Sequence, residues 1–205
     1  MKAKTQFQNL GSPGRSVEFN MDDALEQAIH IFSERGFHAT SIADLAEATG
    51  LSVGHIYKAF ADKRAFFLAA LDHQSGQRNK ELALLLAEAH TGRDKLKVLL
   101  VFYAGMSSAA EGRRGSLMVG AALELIGFDR DVAQRVAASQ QQLEKLLGEM
   151  IEQGRADGSL ASSAEVQASA RFLLCFLQGL RVVGRTAPPR ADMLAAVDVA
   201  LAALS

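Results

Sequence analysis

Residues 40–63 bring hydroxyl, imidazole, phenol and ammonium groups close together along a short stretch of chain. Such groups donate hydrogen bonds to phosphate oxygens and to base edges, and apolar side chains can contact the thymine methyl group. A glycine in the same stretch permits a phosphate to approach the backbone closely. The segment is therefore a candidate contact with nucleic acid, and the residues that could form it are Thr40, Ser41, Ser52, Val53, Gly54, His55, Tyr57, Lys58 and Lys63.

Each of these residues also has a plainer interpretation. Tyr57 is either a packing aromatic or a DNA contact, and His55 is either an ordinary surface histidine or a base contact. Thr40 and Ser41 are predicted helix caps, with a phosphate contact as a second role. Lys63 lies in the first turn of a predicted helix, where a cation opposes the helix dipole. A phosphate partner would explain a lysine at that position.

The sequence lacks the patterns that would predict catalysis, a cofactor or a metal. There is no phosphate-cradling glycine loop and no nucleophile with a matched base. The single cysteine, Cys175, excludes an intramolecular disulfide and a cysteine-based metal site, and is predicted to be a small buried hydrophobe. An all-helical enzyme is therefore the weaker alternative. The histidines form no ligand motif; they are His30, His38, His55, His73 and His90.

Composition sets the fold class. Of the 205 residues, 49% are hydrophobic and only three are proline, and no bounded run of alternating β-branched residues occurs, which predicts an all-α fold. The net charge of -1 excludes a strongly basic coat, so DNA binding must use a small local surface. No apolar N-terminal signal and no run of about 18 uncharged apolar residues is present. These absences predict a cytoplasmic protein with no membrane partner.

The N-terminal part predicts a three-helix head followed by a longer connecting helix. Helices are expected over 21–35, 42–49, 52–59 and 62–89, with Ile56 and Phe60 of the third helix facing inward. The short turn between the second and third has helix-turn-helix spacing. Residues 1–19, with Lys2 and Lys4, are interpreted as a flexible basic arm or a tail without function. The head spans 20–65, and its predicted caps are Asn20, Ser41 with Asp44, Ser52 and Asp62.

The remaining residues, 66–205, predict a larger helical body. Its helices are expected over 93–109, 116–126, 130–156, 163–184 and 191–204, which brings the total to about nine. The breaks fall at Glu111-Gly112, at Asp129, at 157–159 and at 188–189. Ser162 with Glu165 predicts a capping box at the start of the fourth of these body helices.

The segments 32–46, 50–57 and 60–63 closely resemble the signature of the TetR family of transcriptional regulators. The resemblance implies a homodimer whose two heads occupy successive major grooves of a pseudo-palindromic operator. It also implies a body pocket whose occupation by a small molecule releases DNA. Two departures matter: Ala59 replaces a residue that often touches the DNA backbone, and Ser116 replaces a cysteine common in one subgroup, which argues against thiol sensing there.

The body residues fall into two predicted groups. A small, largely apolar ligand is expected to bind in a pocket formed by Phe102, Tyr103, Met106, Leu117, Met118, Leu123, Phe128, Phe172, Cys175, Phe176 and Gln178. A dimer interface is expected from Ala168, Gly179, Val182, Val183, Leu194, Val197 and Leu201. The alternatives are packing within the chain for both groups, and a DNA-binding regulator that has no small-molecule ligand.

Overall fold

A computed structural model describes residues 20–161 and 164–204, and in these ranges the chain forms helices and no strand. The helices are α1 (Met21–Arg35), α2 (Ile42–Thr49), α3 (Val53–Ala59), α4 (Lys63–Ala87), α5 (Gly92–Met106), α6 (Ala109–Arg114), α7 (Leu117–Glu124), α8 (Arg130–Ala156), α9 (Val166–Val183) and α10 (Arg190–Ala202), with a 3₁₀ helix, η1 (Gly184–Thr186), between the last two. The all-α prediction is confirmed.

All nine predicted helices are present, and the short α6 is additional. The predicted break at Glu111-Gly112 is wrong, because these residues lie within α6. A side chain at position 112 would meet the carbonyl oxygen of Gly184 at 2.6 Å, so glycine permits close packing of α6 on η1. Helix α9 begins at Val166, later than predicted, and Glu165 caps it. The predicted arm and the Ser162 cap lie outside the described residues.

The helix starts of the head follow from local hydrogen bonds. Asn20 accepts from the backbone N–H of Asp22 at 3.0 Å, and Asp62 accepts from that of Ala65 at 2.7 Å. Ser41 and Asp44 form a complete capping box. These bonds satisfy N–H groups that have no partner within their own helix, and they confirm the predicted caps.

Two hydrophobic cores divide the described part of the chain. One joins α1–α3 and the first half of α4 to α7 and the start of α8, with Phe32 and Phe67 edge to face at 5.0 Å. The other joins α5, the rest of α8, α9 and α10. Helix α4 belongs to both, since Phe66 lies in the first core and Leu82 in the second. Helix α4 is therefore the continuous helix that connects the head to the body.

Helix α9 is unusually apolar. By length and composition alone, Val166–Thr186 is a candidate membrane span, a test that core helices of soluble proteins also pass. One face of α9 packs on α8, where Leu173 and Leu177 are fully buried. The opposite face carries apolar residues that are half exposed, Phe172 and Val182 among them. The high hydropathy thus reflects two apolar faces.

Candidate nucleic-acid interface and interior cavity

Helix α3 has one buried face and one exposed face. Ile56 is 0% and Phe60 8% exposed, and both pack into the head core. Ser52, Val53, Gly54, His55, Tyr57 and Lys58 are all exposed. The predicted orientation of α3 is confirmed, and its outer face has the size and chemistry to enter a major groove. The individual DNA contacts remain predictions.

Ser52 organises the start of this face. Its Oγ accepts from the backbone N–H of His55 at 3.2 Å and lies 3.0 Å from the Nδ1 of the same histidine. This second contact fixes the imidazole ring against the helix terminus, with Nε2 as the ring nitrogen left for another partner. A side chain at Gly54 would meet only Ser52 Oγ, at 3.9 Å, so the backbone there is open to close approach.

Lys63 has partners within the protein. Its Nζ donates to the carbonyl oxygens of Phe37 and Thr40, both at 2.9 Å, and lies 4.2 Å from the centre of the Phe37 ring. These contacts explain a cation in the first turn of α4 without a phosphate. An ammonium group has three donors, so one is left for DNA. A phosphate contact by Lys63 stays a prediction, although the helix dipole no longer requires one.

Thr40 and Ser41 differ in accessibility. The Thr40 side chain is buried, and its hydroxyl donates to the carbonyl oxygen of Gly36 at 2.7 Å. It neither caps α2 nor reaches the surface, so its predicted phosphate contact is wrong. Ser41 is exposed and caps α2, and its hydroxyl lies 2.6 Å from the Asp44 carboxylate. The Ser41 hydrogen bonds, assisted by Arg35, lower the pKa of Asp44 below its usual value.

The body contains a partly open cavity of about 160 Å³ between α4, α5 and α8, and a neighbouring space of about 60 Å³ reaches α7 and α9. Arg78, Tyr103, Ser139 and Leu143 line both. The larger space has an apolar wall that includes Leu82, Leu86, Leu143 and Leu146. The smaller one adds polar groups, which are Gln74, Ser116, Gln140, Gln178 and Arg181.

Four predicted pocket residues line this cavity, namely Tyr103, Met106, Met118 and Gln178. Leu117 is buried in the head core, Phe102 lines a separate surface groove, and Phe176 packs against the body core. The pocket prediction is wrong for four exposed residues: Leu123 (79% exposed), Phe128 (91%), Phe172 (50%) and Cys175. Phe128 follows α7 in a loop, and Phe172 and Cys175 lie on the outer face of α9. Cys175 is therefore not a buried hydrophobe.

The arginines of the cavity were missed by sequence reasoning. Arg181 lies within the apolar helix α9, and a charged residue in such a run was the signal that could have marked it. Its guanidinium donates to the carbonyl oxygen of Gly115 at 2.8 Å and to that of Met106. Burial lowers the pKa of Arg181. Arg78, on the polar middle of α4, carried no comparable signal.

The predicted interface residues also divide into two sets. Ala168, Gly179, Val182 and Val183 are exposed on the outer face of α9, and Leu194 is half-buried. Val197 and Leu201 of α10 are buried in the chain's own core, so their assignment to an interface is wrong. Helix α10 exposes Val199 instead, which is 71% exposed. The unpartnered apolar surface is therefore mainly a stripe along α9.

Comparisons with known proteins agree with this architecture. The profile of bacterial regulatory proteins, tetR family, matches residues 24–70, which span α1–α3 and the start of α4. The HTH-type transcriptional repressor ComR of Escherichia coli (strain K12) is 29% identical over 175 residues, 85% of this chain and 83% of the relative. The uncharacterized HTH-type regulator YezE of Bacillus subtilis (strain 168) is 25% identical over 93% of this chain and 99% of its own.

Solved structures extend the similarity over nearly the whole chain. A cysteine mutant of the TetR family transcriptional regulator CifR, complexed with 26bp double-strand operator DNA, superposes with a TM-score of 0.81. It is 32% identical, and the match covers 93% of this chain and 100% of that one. A second CifR mutant on the same type of DNA gives a TM-score of 0.81 and 33% identity over 94% of this chain. These matches agree with the exposed outer face of α3 and with the division into head and body. The chain therefore belongs to the TetR family of DNA-binding, non-enzymatic transcriptional regulators.

Proposed function

We propose that this protein is a cytoplasmic homodimeric repressor that leaves a pseudo-palindromic operator when a small molecule occupies the body cavity. The outer face of α3, exposed in full while Ile56 holds the helix to the head, is the observation that carries the DNA-binding part. Similar proteins are repressors, and CifR is found on operator DNA. One head reads few base pairs, so two heads on adjacent half-sites supply the specificity.

The outer face of α9 supports the dimer. Phe172, Val182 and Val183 are each at least 50% exposed, and a methyl group added at Gly179 between them would meet no described atom within 4 Å. A contiguous exposed apolar stripe of this kind marks an interaction surface. A two-fold contact between α9 helices would bury the same stripe on both subunits. The small residues Ala168 and Gly179 would let the two helices approach closely.

The release mechanism rests on arginines that link the cavity to the head. Arg181 lines the cavity and holds the carbonyl oxygen of Gly115, which precedes α7. Four residues later, Arg185 donates to the carbonyl oxygens of Ser33 and Glu34 at the end of α1. If ligand binding shifts α9 or α7, these hydrogen bonds would therefore move the head as well. Helix α4 would then not be the only connection that transmits the change.

A second link joins α7 to the head. The Glu124 carboxylate accepts from the backbone N–H of His38 at 3.2 Å and lies against Gly36, whose φ is +84°.

A ligand releases DNA only when it binds the DNA-free geometry more tightly than the DNA-bound one. A coupling free energy of about 1–3 kcal/mol would change operator affinity roughly 5- to 150-fold. Tilting α4 would supply such a coupling by changing the separation of the two heads.

The DNA-binding part is tested by selecting operators from a pool of random duplexes. We expect the selected sequences to be pseudo-palindromic, with half-sites about one helical turn, roughly 34 Å, apart or somewhat more. Tyr57→Ala should bind them more weakly by fluorescence anisotropy, with unchanged thermal stability, because Tyr57 is 52% exposed. Selected sequences without two-fold symmetry would contradict binding by a symmetric dimer.

The release part is tested by blocking the cavity. Ala83 is exposed at the rim of the 160 Å³ space, so Ala83→Trp should fill it with little effect on the core. The matched control is Leu84→Trp, at a position that is 75% exposed and outside the lining. We expect Ala83→Trp alone to abolish the response of operator affinity and head separation to a stabilising compound. If no cavity-binding compound changes operator affinity, the protein is a DNA-binding regulator without a small-molecule ligand.

A further inference from the structure

The cavity holds an unusual concentration of positive charge around a buried phenol. Tyr103 of α5 is 4% exposed, and its hydroxyl forms no hydrogen bond with any described residue. Arg78 of α4 lines the cavity beside it, and Arg181 of α9 lines the part of the cavity that reaches α7. Burial raises the pKa of Tyr103, and the two arginine charges partly oppose this rise. The phenol thus remains a hydrogen-bond donor at neutral pH.

Neither arginine is neutralised within the described residues. Arg78 donates to the Ser139 hydroxyl at 3.2 Å, and Arg181 donates to two backbone carbonyls. No carboxylate forms an ion pair with either one there; Glu111, whose charge reaches Arg181, is itself paired with Arg114 at 2.8 Å. A guanidinium has five donors, so both side chains keep unused N–H groups. Both arginines are half-buried, and a half-buried charge without an ionic partner attracts an anion.

The larger space is small, and its lining is mainly apolar, with Asn79, Ser139 and Gln142 as further polar residues. Leu82, Leu86, Leu143 and Leu146 line the 160 Å³ space, away from α9. A cavity of about 150 Å³ lined by apolar residues is large enough for one benzene molecule. The lining therefore suits an apolar body of about six to eight carbon atoms with a single polar group at one end.

We propose that the effector of this protein is a small monocarboxylic acid whose carboxylate lies between Arg78, Arg181 and Tyr103 and whose apolar body contacts the leucines. The proposal rests on the proposed function and specifies the class of its ligand. A carboxylate accepts paired hydrogen bonds from a guanidinium fork and one more from a phenol. Since Arg78 lies on α4 and Arg181 on α9, the same anion draws these two helices together. That movement would shift α4, which connects the body to the head.

The test uses defined probes and the full-length dimer. Straight-chain carboxylates of three to eight carbons and benzoate are compared with their primary amides, which keep the shape and remove the charge. Affinity is measured by calorimetry and operator release by anisotropy. We expect one or more acids to bind at least tenfold more tightly than their amides and to lower operator affinity.

Two variants locate the charge effect. Arg78→Met keeps the length of the side chain, and Tyr103→Phe removes only the hydroxyl. Each should reduce acid affinity about 10- to 100-fold and amide affinity clearly less, because the amide oxygen accepts the same hydrogen bonds without a charge. Lys145→Met is the matched control, because this cation is 80% exposed and lies outside the lining of this cavity.

The outcomes separate this proposal from the broader function. If no acid binds better than its amide, or if Arg78→Met leaves the preference intact, the carboxylate assignment is wrong. Release of the operator by a neutral compound in the same screen would then leave ligand-controlled repression standing. Acids that bind with the expected preference, but leave operator affinity unchanged, would support the site and overturn its role as the effector site.

Discussion

Arg185 Nη1 donates to the backbone carbonyl oxygen of Ser33 at 2.9 Å, joining positions 152 residues apart. The same guanidinium donates to the carbonyl oxygens of Glu34 at 3.2 Å and Arg114 at 3.0 Å. It thus binds the C-terminal ends of α1 and α6, where carbonyl groups carry partial negative charge. One exposed side chain therefore fastens the head to the part of the body that borders the cavity.

This relationship predicts a loss of communication in Arg185→Met. Without the guanidinium, α1 is no longer tied to α6 and η1, so ligand binding should move the head less. We expect the effector-induced change in operator affinity to fall to less than a third of the wild-type factor. Affinity for the effector itself should stay within about twofold, because Arg185 is not among the residues lining the cavity of Arg78 and Tyr103.

The matched control for this variant is Arg113→Met. Arg113 is exposed on α6, and its guanidinium forms no hydrogen bond or ion pair with a described residue. Operator binding titrated with and without effector should give the wild-type response in this control. A full response in Arg185→Met would show that α4 transmits the effect of ligand binding to the head without the Arg185 hydrogen bonds.

Lys58 and Lys63 should have separable roles. Lys58 is exposed on α3, so Lys58→Met should weaken operator binding and leave the melting temperature unchanged. Each lost phosphate contact lowers the salt slope by about 0.9, hence by about two for a dimer. Lys63→Met should in addition destabilise the head, by on the order of 1–3 kcal/mol, because two charged hydrogen bonds within the protein are lost. Calorimetric melting and salt titrations would distinguish the two, and an unstable Lys58→Met would contradict this division.

The joint between α4 and α8 should be sensitive to acid. Arg64 donates to Asp129 at 2.5 and 2.8 Å, and this lowers the pKa of Asp129 to about 2. A depressed carboxyl pKa stabilises the fold above the unfolded value and loses that effect as the pH falls toward the folded one. The stabilisation should therefore be complete at neutral pH and disappear between about pH 4 and pH 2.

Asp129→Asn isolates the charge, since asparagine can still cap α8. Denaturation midpoints of the two proteins should differ above pH 5 and converge as the pH approaches 2. A difference that does not depend on pH would assign the effect of Asp129 to its cap contacts with Asp131 and Val132.

The α9 stripe should hold the proposed dimer together. Gly179→Arg places a charged side chain in the middle of the stripe, where an added Cβ meets no described atom within 4 Å, so the monomer should fold normally. We expect sedimentation to show a monomer and operator affinity to fall toward the value of a single head. Leu84→Arg is the control, because it introduces the same charge at an apolar residue on α4 that is 75% exposed. A dimeric Gly179→Arg would place the interface on another surface.

The sequence alone determined the features that depend on short-range bonds and on helical periodicity. Caps at Asn20, Ser41 and Asp62 involve partners two or three residues away, so they can be read directly from the chain. The outer face of α3 followed from the spacing of Ile56 and Phe60, since residues four apart share one face of a helix. These local rules were enough for the all-α fold and the reading helix.

Tertiary structure decided what depends on contacts between distant segments. The partners of Lys63 lie more than 20 positions away, and Arg78 and Arg181 meet one cavity from helices about 100 positions apart. The sequence of an apolar helix such as α9 also does not predict which of its faces packs into the protein's own core and which remains exposed. Periodicity fixes the angle between two residues of one helix, whereas the packing of several helices fixes what each face meets. For this reason Phe172 and Cys175 lie on the outer surface, and Val197 and Leu201 lie in the core.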